Sequence, residues 1–187
     1  NKYIKDAFKK GAKVALISKE INSNKQFPYL KVKDVLVALQ KIAREIRLSS
    51  SARFICVTGS VGKTGTKEML RTALEKIEKK VHANEGNFNN HIGVPLTLLR
   101  INKKTEITVL EMGASGLNEI NHLCNISKPD YAYISNFGNA HLEGFGNIEG
   151  VIKGKSELYE HIFESAGTVF YNCDDKTQNM KLKAYKN

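Results

Sequence analysis

Apolar residues repeat at helical spacing in some segments of the chain and form short continuous runs in others. Between residues 32 and 48, Val35, Leu39, Ala43 and Ile46 recur every three or four positions, which predicts an amphipathic helix. Short apolar runs such as FICVT predict buried strands. These criteria predict strands over residues 14–18, 54–58, 106–112, 131–135 and 168–172. They predict helices over residues 2–11, 32–48, 63–77, 92–101, 118–125 and 149–163, a polar loop over 22–28, and a linker over 49–51.

This alternation of strands and helices predicts an α/β fold with a mostly parallel sheet that is covered by helices on both faces. Ligands of such sheets bind at the carboxyl ends of the strands. A glycine-rich loop follows strand 54–58, Glu111 lies near the end of another strand, and residues Asn136 to His141 follow strand 131–135. We therefore expect these three segments to form one site.

The composition is that of a globular protein. The chain has 187 residues, of which 41% are hydrophobic and 26% charged, and these values exclude a disordered or a fibrous protein. No apolar run approaches the roughly 20 residues that cross a bilayer, and the chain does not open with a signal peptide. We expect a cytoplasmic protein without membrane insertion.

The formal charge of +10 is unevenly distributed. Residues 1–50 contain 12 basic and 4 acidic residues, whereas residues 111–160 contain 3 basic and 7 acidic ones. A cleft that takes an anionic substrate on one side and metal ions on the other would show this asymmetry, although a solvated lysine-rich surface is the commoner explanation. Because no aromatic and basic residues are interleaved into a binding platform, we do not expect nucleic acid as a partner.

The segment VTGSVGKTGTKEML, residues 57–70, carries the strongest chemical signal. A strand, a glycine-containing turn and a helix follow one another, so that backbone N–H groups and the helix N-terminus face bound phosphates. The general phosphate-loop pattern requires glycine at position 57, where this chain has Val57; only the shorter pattern G-x-x-G-K-T is matched. The alternative is an ordinary strand-to-helix turn. The predicted ATP-binding residues are Gly59, Ser60, Val61, Gly62, Lys63, Thr64 and Gly65.

The same segment resembles the ATP-binding loop of the Mur ligases, which build the peptide of peptidoglycan. Three further segments follow in that family's order: GNFNNHIGVPLTLLR at 86–100, LEMGAS at 110–115, and NFGNAHLEGFGNIEGVIKGKSELYE at 136–160. By this resemblance, residues 1–49 are the remnant of an N-terminal domain that binds the UDP-linked substrate. Residues 50–187 are an incomplete central ATP-binding domain, and the C-terminal domain is absent. We therefore expect a fragment that is inactive alone.

The resemblance implies ATP-driven amide bond formation. The carboxylate of a UDP-linked muramoyl peptide would attack the γ-phosphate to give an acyl phosphate, and the amine of D-alanyl-D-alanine would displace the phosphate. The implied cofactors are ATP and two Mg²⁺ ions, and the complete protein is expected to be a monomer.

The resemblance also assigns site residues. Lys63, His141 and Lys155 are the implied catalytic residues, and Thr64, Glu111, His141 and Lys155 are the implied Mg²⁺ ligands, with Lys155 carbamylated. The residues alone allow other interpretations: Glu111 as an exposed strand end, His141 as an exposed loop residue, and Lys155 as one more surface lysine. Lys153 is the competing position for the modified lysine.

Three asparagines, Asn87, Asn89 and Asn90, lie in the segment that the resemblance places along the substrate's path, although asparagine clusters most often form turns. Lys67, one turn beyond Lys63, is expected to lie beyond the phosphates and to matter little for ATP. Two alternatives remain for the function: a different amide ligase of this architecture, such as another Mur ligase or a folylpolyglutamate synthase, or a non-catalytic fragment that binds nucleotides or nucleic acid.

Overall fold

The computed structural model describes residues 3–20 and 27–185. It contains seven strands: β1 (Ala15–Ile17), β2 (Tyr29–Lys31), β3 (Arg53–Thr58), β4 (Val81–Ala83), β5 (Ile107–Glu111), β6 (Tyr131–Ile134) and β7 (Thr168–Phe170). It contains eight helices: α1 (Ile4–Lys9), α2 (Val35–Ser49), α3 (Lys63–Lys76), α4 (Gly93–Leu98), α5 (Glu119–Ser127), α6 (Leu142–Phe145), α7 (Ile148–Glu164) and α8 (Lys176–Lys183).

Two parallel sheets organise these elements. β1 and β2 form a two-stranded sheet, and the other five strands form a sheet in the order β4-β5-β3-β6-β7. All pairs in the larger sheet are parallel, with Val57 of β3 aligned with Glu111 of β5 and Tyr133 of β6. The predicted parallel α/β fold is confirmed, and the carboxyl ends of β3, β5 and β6 meet at one edge.

The central strand β3 is covered on both faces. Cys56 and Val57 are adjacent, so their side chains point to opposite faces of the sheet, and both are fully buried. On one face, Phe54 and Cys56 belong to the main hydrophobic cluster, while α3 packs against β3, β4 and β5. This double burial explains why β3 and β5 are nearly continuous apolar runs rather than alternating ones.

Helix α2 connects the small sheet to the large one. It begins at Asp34, whose side chain accepts hydrogen bonds from the backbone N–H groups of Leu36 and Val37. Its Ala43 is fully buried in the same cluster as the central sheet, and Arg47 pairs with Asp130 at 3.0 Å. The predicted linker is shorter than expected, because Ser49 is the last residue of α2. The domain boundary between residues 49 and 50 stays a prediction.

The sequence pattern missed three short elements, β2, β4 and α6. β2 and β4 have three residues each and α6 has four, which is too short for a period to show. The helix predicted over 92–101 is confined to Gly93–Leu98. Lys2 of the first predicted helix and residues 22–26 of the predicted loop lie outside the described residues. Within the described ranges, no helix is both long enough and apolar enough to span a membrane.

Candidate active site

The loop between β3 and α3 has a backbone that requires glycine at two positions. Gly59 has φ 147° and Gly62 has φ 80°, both in the region that residues with a Cβ rarely adopt. A Cβ on Gly59 would also lie 1.9 Å from the Oγ of Ser135. Gly62 precedes the first turn of α3, and no side chain caps this helix end. The N-terminal N–H groups and the helix dipole therefore favour an anion there.

The segment after β6 holds this loop in place. The backbone N–H of Ser60 donates to the carbonyl of Asn136 at 3.1 Å, and the Ser60 hydroxyl donates to the carbonyl of Gly138 at 2.6 Å. Val61 donates through its N–H to Asn136 Oδ1 at 3.2 Å and accepts at its carbonyl from Asn136 Nδ2 at 2.9 Å. The loops that follow β3 and β6 are thus joined by hydrogen bonds. They lie together, as expected for segments of one site.

Lys63 bends back over the loop. Its Nζ donates to the carbonyls of Gly59 at 2.8 Å and Ser60 at 3.2 Å. Burial lowers the pKa of Lys63, and the negative charge of Glu111 partly opposes this shift. The ammonium group is therefore held at the place where the loop would meet phosphate oxygens.

Glu111 lies at the centre of the site. Its side chain is at the end of β5 and the residue is only 2% exposed, so the interpretation as an exposed strand end is wrong. Thr64 Oγ1 donates to Glu111 Oε2 at 2.7 Å, and Asn89 Nδ2 donates to Oε1 at 2.7 Å. Three of the predicted site residues are thus in direct contact. A hydroxyl and a carboxylate oxygen at this distance match the hard oxygen ligands that Mg²⁺ prefers.

His141 is exposed in the loop before α6 and has φ 56°. It lines a cavity of about 240 Å³ together with Lys63, Asn89, Asn90 and Ser115. This cavity is the open space beside the loop. Across residues 3–20 and 27–185, no three His, Cys, Asp or Glu side chains are grouped closely enough to hold a metal ion. A cation here would depend on few protein ligands and on the oxygens of its substrate.

Lys155 is buried on α7, with 1% of its surface exposed, so the interpretation as a surface lysine is wrong. Its Nζ lies 5.5 Å from the centroid of the Phe145 ring, and within the described part of the chain it has no carboxylate partner. Burial and the positive charge of Lys63 lower the pKa of Lys155 to about 8. Lys153, by contrast, is exposed.

The three predicted asparagines have different positions. Asn89 contacts Glu111, as described above. Asn90 lines the cavity, but its Oδ1 also accepts from the backbone N–H groups of Ile92 and Gly93 at 3.0 and 2.9 Å, which is the turn-forming role. Asn87 is exposed and does not line this cavity.

Two residues near Glu111 were not predicted. Lys67, which was expected to lie beyond the phosphates, is 1% exposed and donates from Nζ to the carbonyl of Asn84 at 2.6 Å. Asn84 is also 1% exposed and bonds to the main chain of Glu111. The one sequence signal was the spacing of Lys67 from Thr64, since residues three apart share a helix face. That Lys67 lies beyond the phosphates stays a prediction; its burial and its bond to Asn84 were not expected.

The fold and this loop define a parallel α/β domain with a phosphate-binding loop at the carboxyl edge of its sheet. A sequence profile of the Mur ligase middle domain matches residues 57–187. The chain belongs to the Mur ligase family.

Three similar proteins have names of the same type of ligase. The UDP-N-acetylmuramoyl-tripeptide–D-alanyl-D-alanine ligase of Haemophilus influenzae is 38% identical over 190 residues, which cover 100% of this chain and 41% of the relative. The crystal structure of MurF from Acinetobacter baumannii is 33% identical with a TM-score of 0.88, covering 99% of this chain and 40% of that one. MurF from Thermotoga maritima in complex with ADP is 36% identical with a TM-score of 0.86, covering 98% and 42%. The chain thus spans about two fifths of the length of these relatives.

Replacing Lys155 by methionine should stabilise the fold most below pH 8. The folded-state pKa of about 8 lies below the ordinary lysine pKa of 10.5, so burying the charged amine destabilises the folded state fully below pH 8. This cost disappears as the pH rises from 8 to 10.5. Each pKa unit corresponds to about 1.4 kcal/mol, and the advantage of Lys155→Met should shrink by more than about 1 kcal/mol between pH 7 and 10.

Urea unfolding of both proteins in buffer without Mg²⁺ and carbon dioxide measures this difference. Lys153→Met, at the exposed neighbouring position, is the control and should show no such dependence. A stability difference for Lys155→Met that is independent of pH would show that the amine is not buried as a cation.

Proposed function

We propose that this chain is the nucleotide-binding part of an ATP-dependent ligase of peptidoglycan precursor synthesis, which adds D-alanyl-D-alanine to a UDP-N-acetylmuramoyl tripeptide. The observation that carries the proposal is the contact of Thr64 and Glu111 beside Lys63 at the carboxyl edge of the sheet. The names of the relatives support the reaction, and the ADP complex of the Thermotoga relative supports the nucleotide.

In this proposal the phosphates of ATP lie on the loop from Gly59 to Gly65. The uncapped first turn of α3 supplies N–H donors, and the two hydrogen bonds between Asn136 and Val61 hold the loop in place. Lys63 exchanges the carbonyls of Gly59 and Ser60 for phosphate oxygens. This exchange is favourable because an anion neutralises an ammonium group that neutral carbonyls only solvate.

The residues fit a divalent cation at one position. Thr64 and Glu111 would hold the first Mg²⁺ through the hydroxyl and carboxylate oxygens that face each other at 2.7 Å. His141 and the modified Lys155 would hold the second. Bound Mg²⁺ neutralises charge that develops on the transferring phosphoryl group. The chain's own contribution is to orient the phosphates and to keep Lys63 beside them.

Carbamylation would remove an unfavourable feature of Lys155, its buried positive charge. A buried ammonium group without a carboxylate partner is costly, and the charge of Lys63 repels it. Carbamylation joins the neutral amine to carbon dioxide, releases one proton and leaves an anion. An anion at this position would be attracted to Lys63 and to a metal ion instead of being repelled.

Two cavities with shared lining residues lie beside this centre. A second cavity of about 380 Å³ extends from α2 to α5 and is lined by Leu36, Gln40 and His122. Asn90, Gly113 and Glu119 line both this cavity and the one beside Lys63. We propose that the UDP-linked muramoyl peptide follows this path. Its negative charge suits the basic residues of the N-terminal segment. We also propose that the complete enzyme acts in the cytoplasm, as a monomer and without nucleic acid.

Removing Lys63 should abolish most of the nucleotide affinity of this chain. Lys63→Ala is expected to weaken ADP binding by roughly 10- to 100-fold, because a charge-assisted hydrogen bond contributes on the order of 1.5–3 kcal/mol. Lys76→Ala is the matched control, since Lys76 is exposed at the last turn of the same helix. Isothermal titration with ADP and Mg²⁺ measures both. Equal losses for the two variants would mean that general positive charge, rather than the loop, attracts the nucleotide.

In the complete ligase, Lys155→Ala should greatly lower turnover while ATP binding is largely retained. A small carboxylic acid should partly restore the rate by occupying the space of the missing anion. Lys153→Ala should behave like the unmodified enzyme, because that residue is exposed. Phosphate release in the presence of both substrates is the measurement. Near-normal turnover of Lys155→Ala, or loss and rescue in Lys153→Ala instead, would refute the assignment.

A further inference from the structure

Four residues, Thr64, Glu111, Asn84 and Lys67, form a ring behind the phosphate-binding loop, which hydrogen bonds close on three sides and helix α3 closes on the fourth. Thr64 and Lys67 lie three positions apart on α3, which places them on neighbouring turns of one helix face. Thr64 bonds to the Glu111 carboxylate, the main chain of Glu111 bonds to Asn84, and the carbonyl of Asn84 accepts from Lys67. The ring therefore links α3, β5 and the segment after β4 around the predicted metal ligands.

Asn84 fixes the backbone of Glu111 at two points. Its Oδ1 accepts from the Glu111 N–H at 2.9 Å, and its Nδ2 donates to the Glu111 carbonyl at 3.0 Å. β4 ends one residue earlier, where Ala83 is aligned with Val109 of β5. The side-chain amide thus continues the pairing of these two strands past the end of β4. The same Nδ2 donates to the carbonyl of Phe88 at 3.0 Å, which ties in the loop that carries Asn89.

Lys67 holds Asn84 in this position. Its Nζ donates to the Asn84 carbonyl at 2.6 Å and lies 3.0 Å from the carboxylate of Glu68. Lys67 is 1% exposed, whereas the Glu68 side chain is 47% exposed. Burying an ammonium group is costly, and a methionine of similar length would fill this space without that cost. Packing alone would therefore favour methionine at this position. The presence of a buried charge indicates that the hydrogen bond to Asn84 is needed.

We infer that Lys67 is a positioning residue, which acts through Asn84 to keep the Glu111 carboxylate beside the Thr64 hydroxyl for a divalent cation. The inference rests on the proposed function, in which Thr64 and Glu111 hold Mg²⁺. Lys67 reaches neither phosphate nor metal in this arrangement. Its loss should therefore affect the contribution of the metal to nucleotide binding, and not the binding of phosphate by the loop.

The test compares ADP binding by this chain with excess Mg²⁺ and with EDTA, using isothermal titration. Lys67→Met should weaken binding by about tenfold or more with Mg²⁺, since loss of an outer hydrogen-bond partner typically lowers metal affinity by about 10- to 100-fold. With EDTA its affinity should stay within about twofold of the original. Glu68→Gln is the matched control: it removes the ion pair of Lys67 but keeps the bond to Asn84, and should change neither value.

Asn84→Asp tests the same inference independently. It keeps the shape of the side chain but loses the donor to the Glu111 carbonyl, so it should show the same selective loss with Mg²⁺. If Lys67 acts through Asn84, the double variant should lose no more than the weaker-binding single variant. Circular dichroism and the melting temperature establish that each variant is folded. Should Lys67→Met fail to fold, the Asn84→Asp result decides.

The outcomes separate this inference from the proposed function. Equal losses with Mg²⁺ and with EDTA would show that Lys67 only supports the fold, and unchanged binding would show that it positions nothing. If Glu68→Gln weakened ADP binding with Mg²⁺ but not with EDTA, the ion pair of Lys67 with Glu68, and not its bond to Asn84, would position Glu111. If the original chain binds ADP equally with Mg²⁺ and EDTA, the proposed metal site itself is wrong, whatever the variants do.

Discussion

The site depends on the parallel pairing of β3 with β5, which aligns Val57 with Glu111. This register brings the end of β5 to the point where β3 turns into the loop and α3. The 2.7 Å hydrogen bond between Thr64 and Glu111 follows from it. A shift of one residue would turn Glu111 to the opposite face of the sheet, and the hydroxyl would then face an apolar side chain. The position of Glu111 beside Thr64 thus depends on the register of β3 and β5.

The charges at the proposed site favour an anion. Lys63 and Lys155 are close enough for the charge of one to lower the pKa of the other, and Glu111 is the one carboxylate that the described residues place against Thr64. Positive charge in a partly buried cleft, next to an uncapped helix N-terminus, is stabilised by phosphate. A divalent cation needs further negative charge, which phosphate oxygens and a modified Lys155 would supply. The structure therefore suits a metal that arrives with its nucleotide.

The sequence predicted the local features of the site better than its long-range ones. The loop from Gly59 to Thr64 was recognisable because its turn, helix start and lysine are adjacent in sequence. The convergence of Glu111 with this loop was also predictable, since parallel strands end at one edge. The burial of Lys67 and Lys155 was not, because it depends on how α3 and α7 pack against the sheet. Asn84 was missed for a related reason: its partner Glu111 is 27 residues away, and β4 is too short to show a pattern.

The central claim is that the edge formed by β3, β5 and β6 binds nucleotide phosphates and a divalent cation together. A crystal structure of this chain with ADP and Mg²⁺ tests it most directly. The account predicts the β-phosphate on the first turn of α3, Lys63 Nζ moved from the Gly59 and Ser60 carbonyls to phosphate oxygens, and the metal ion at Thr64 beside Glu111. A nucleotide bound elsewhere on the surface, or one bound at the loop with Lys63 still on the two carbonyls and no metal near Glu111, would contradict the account.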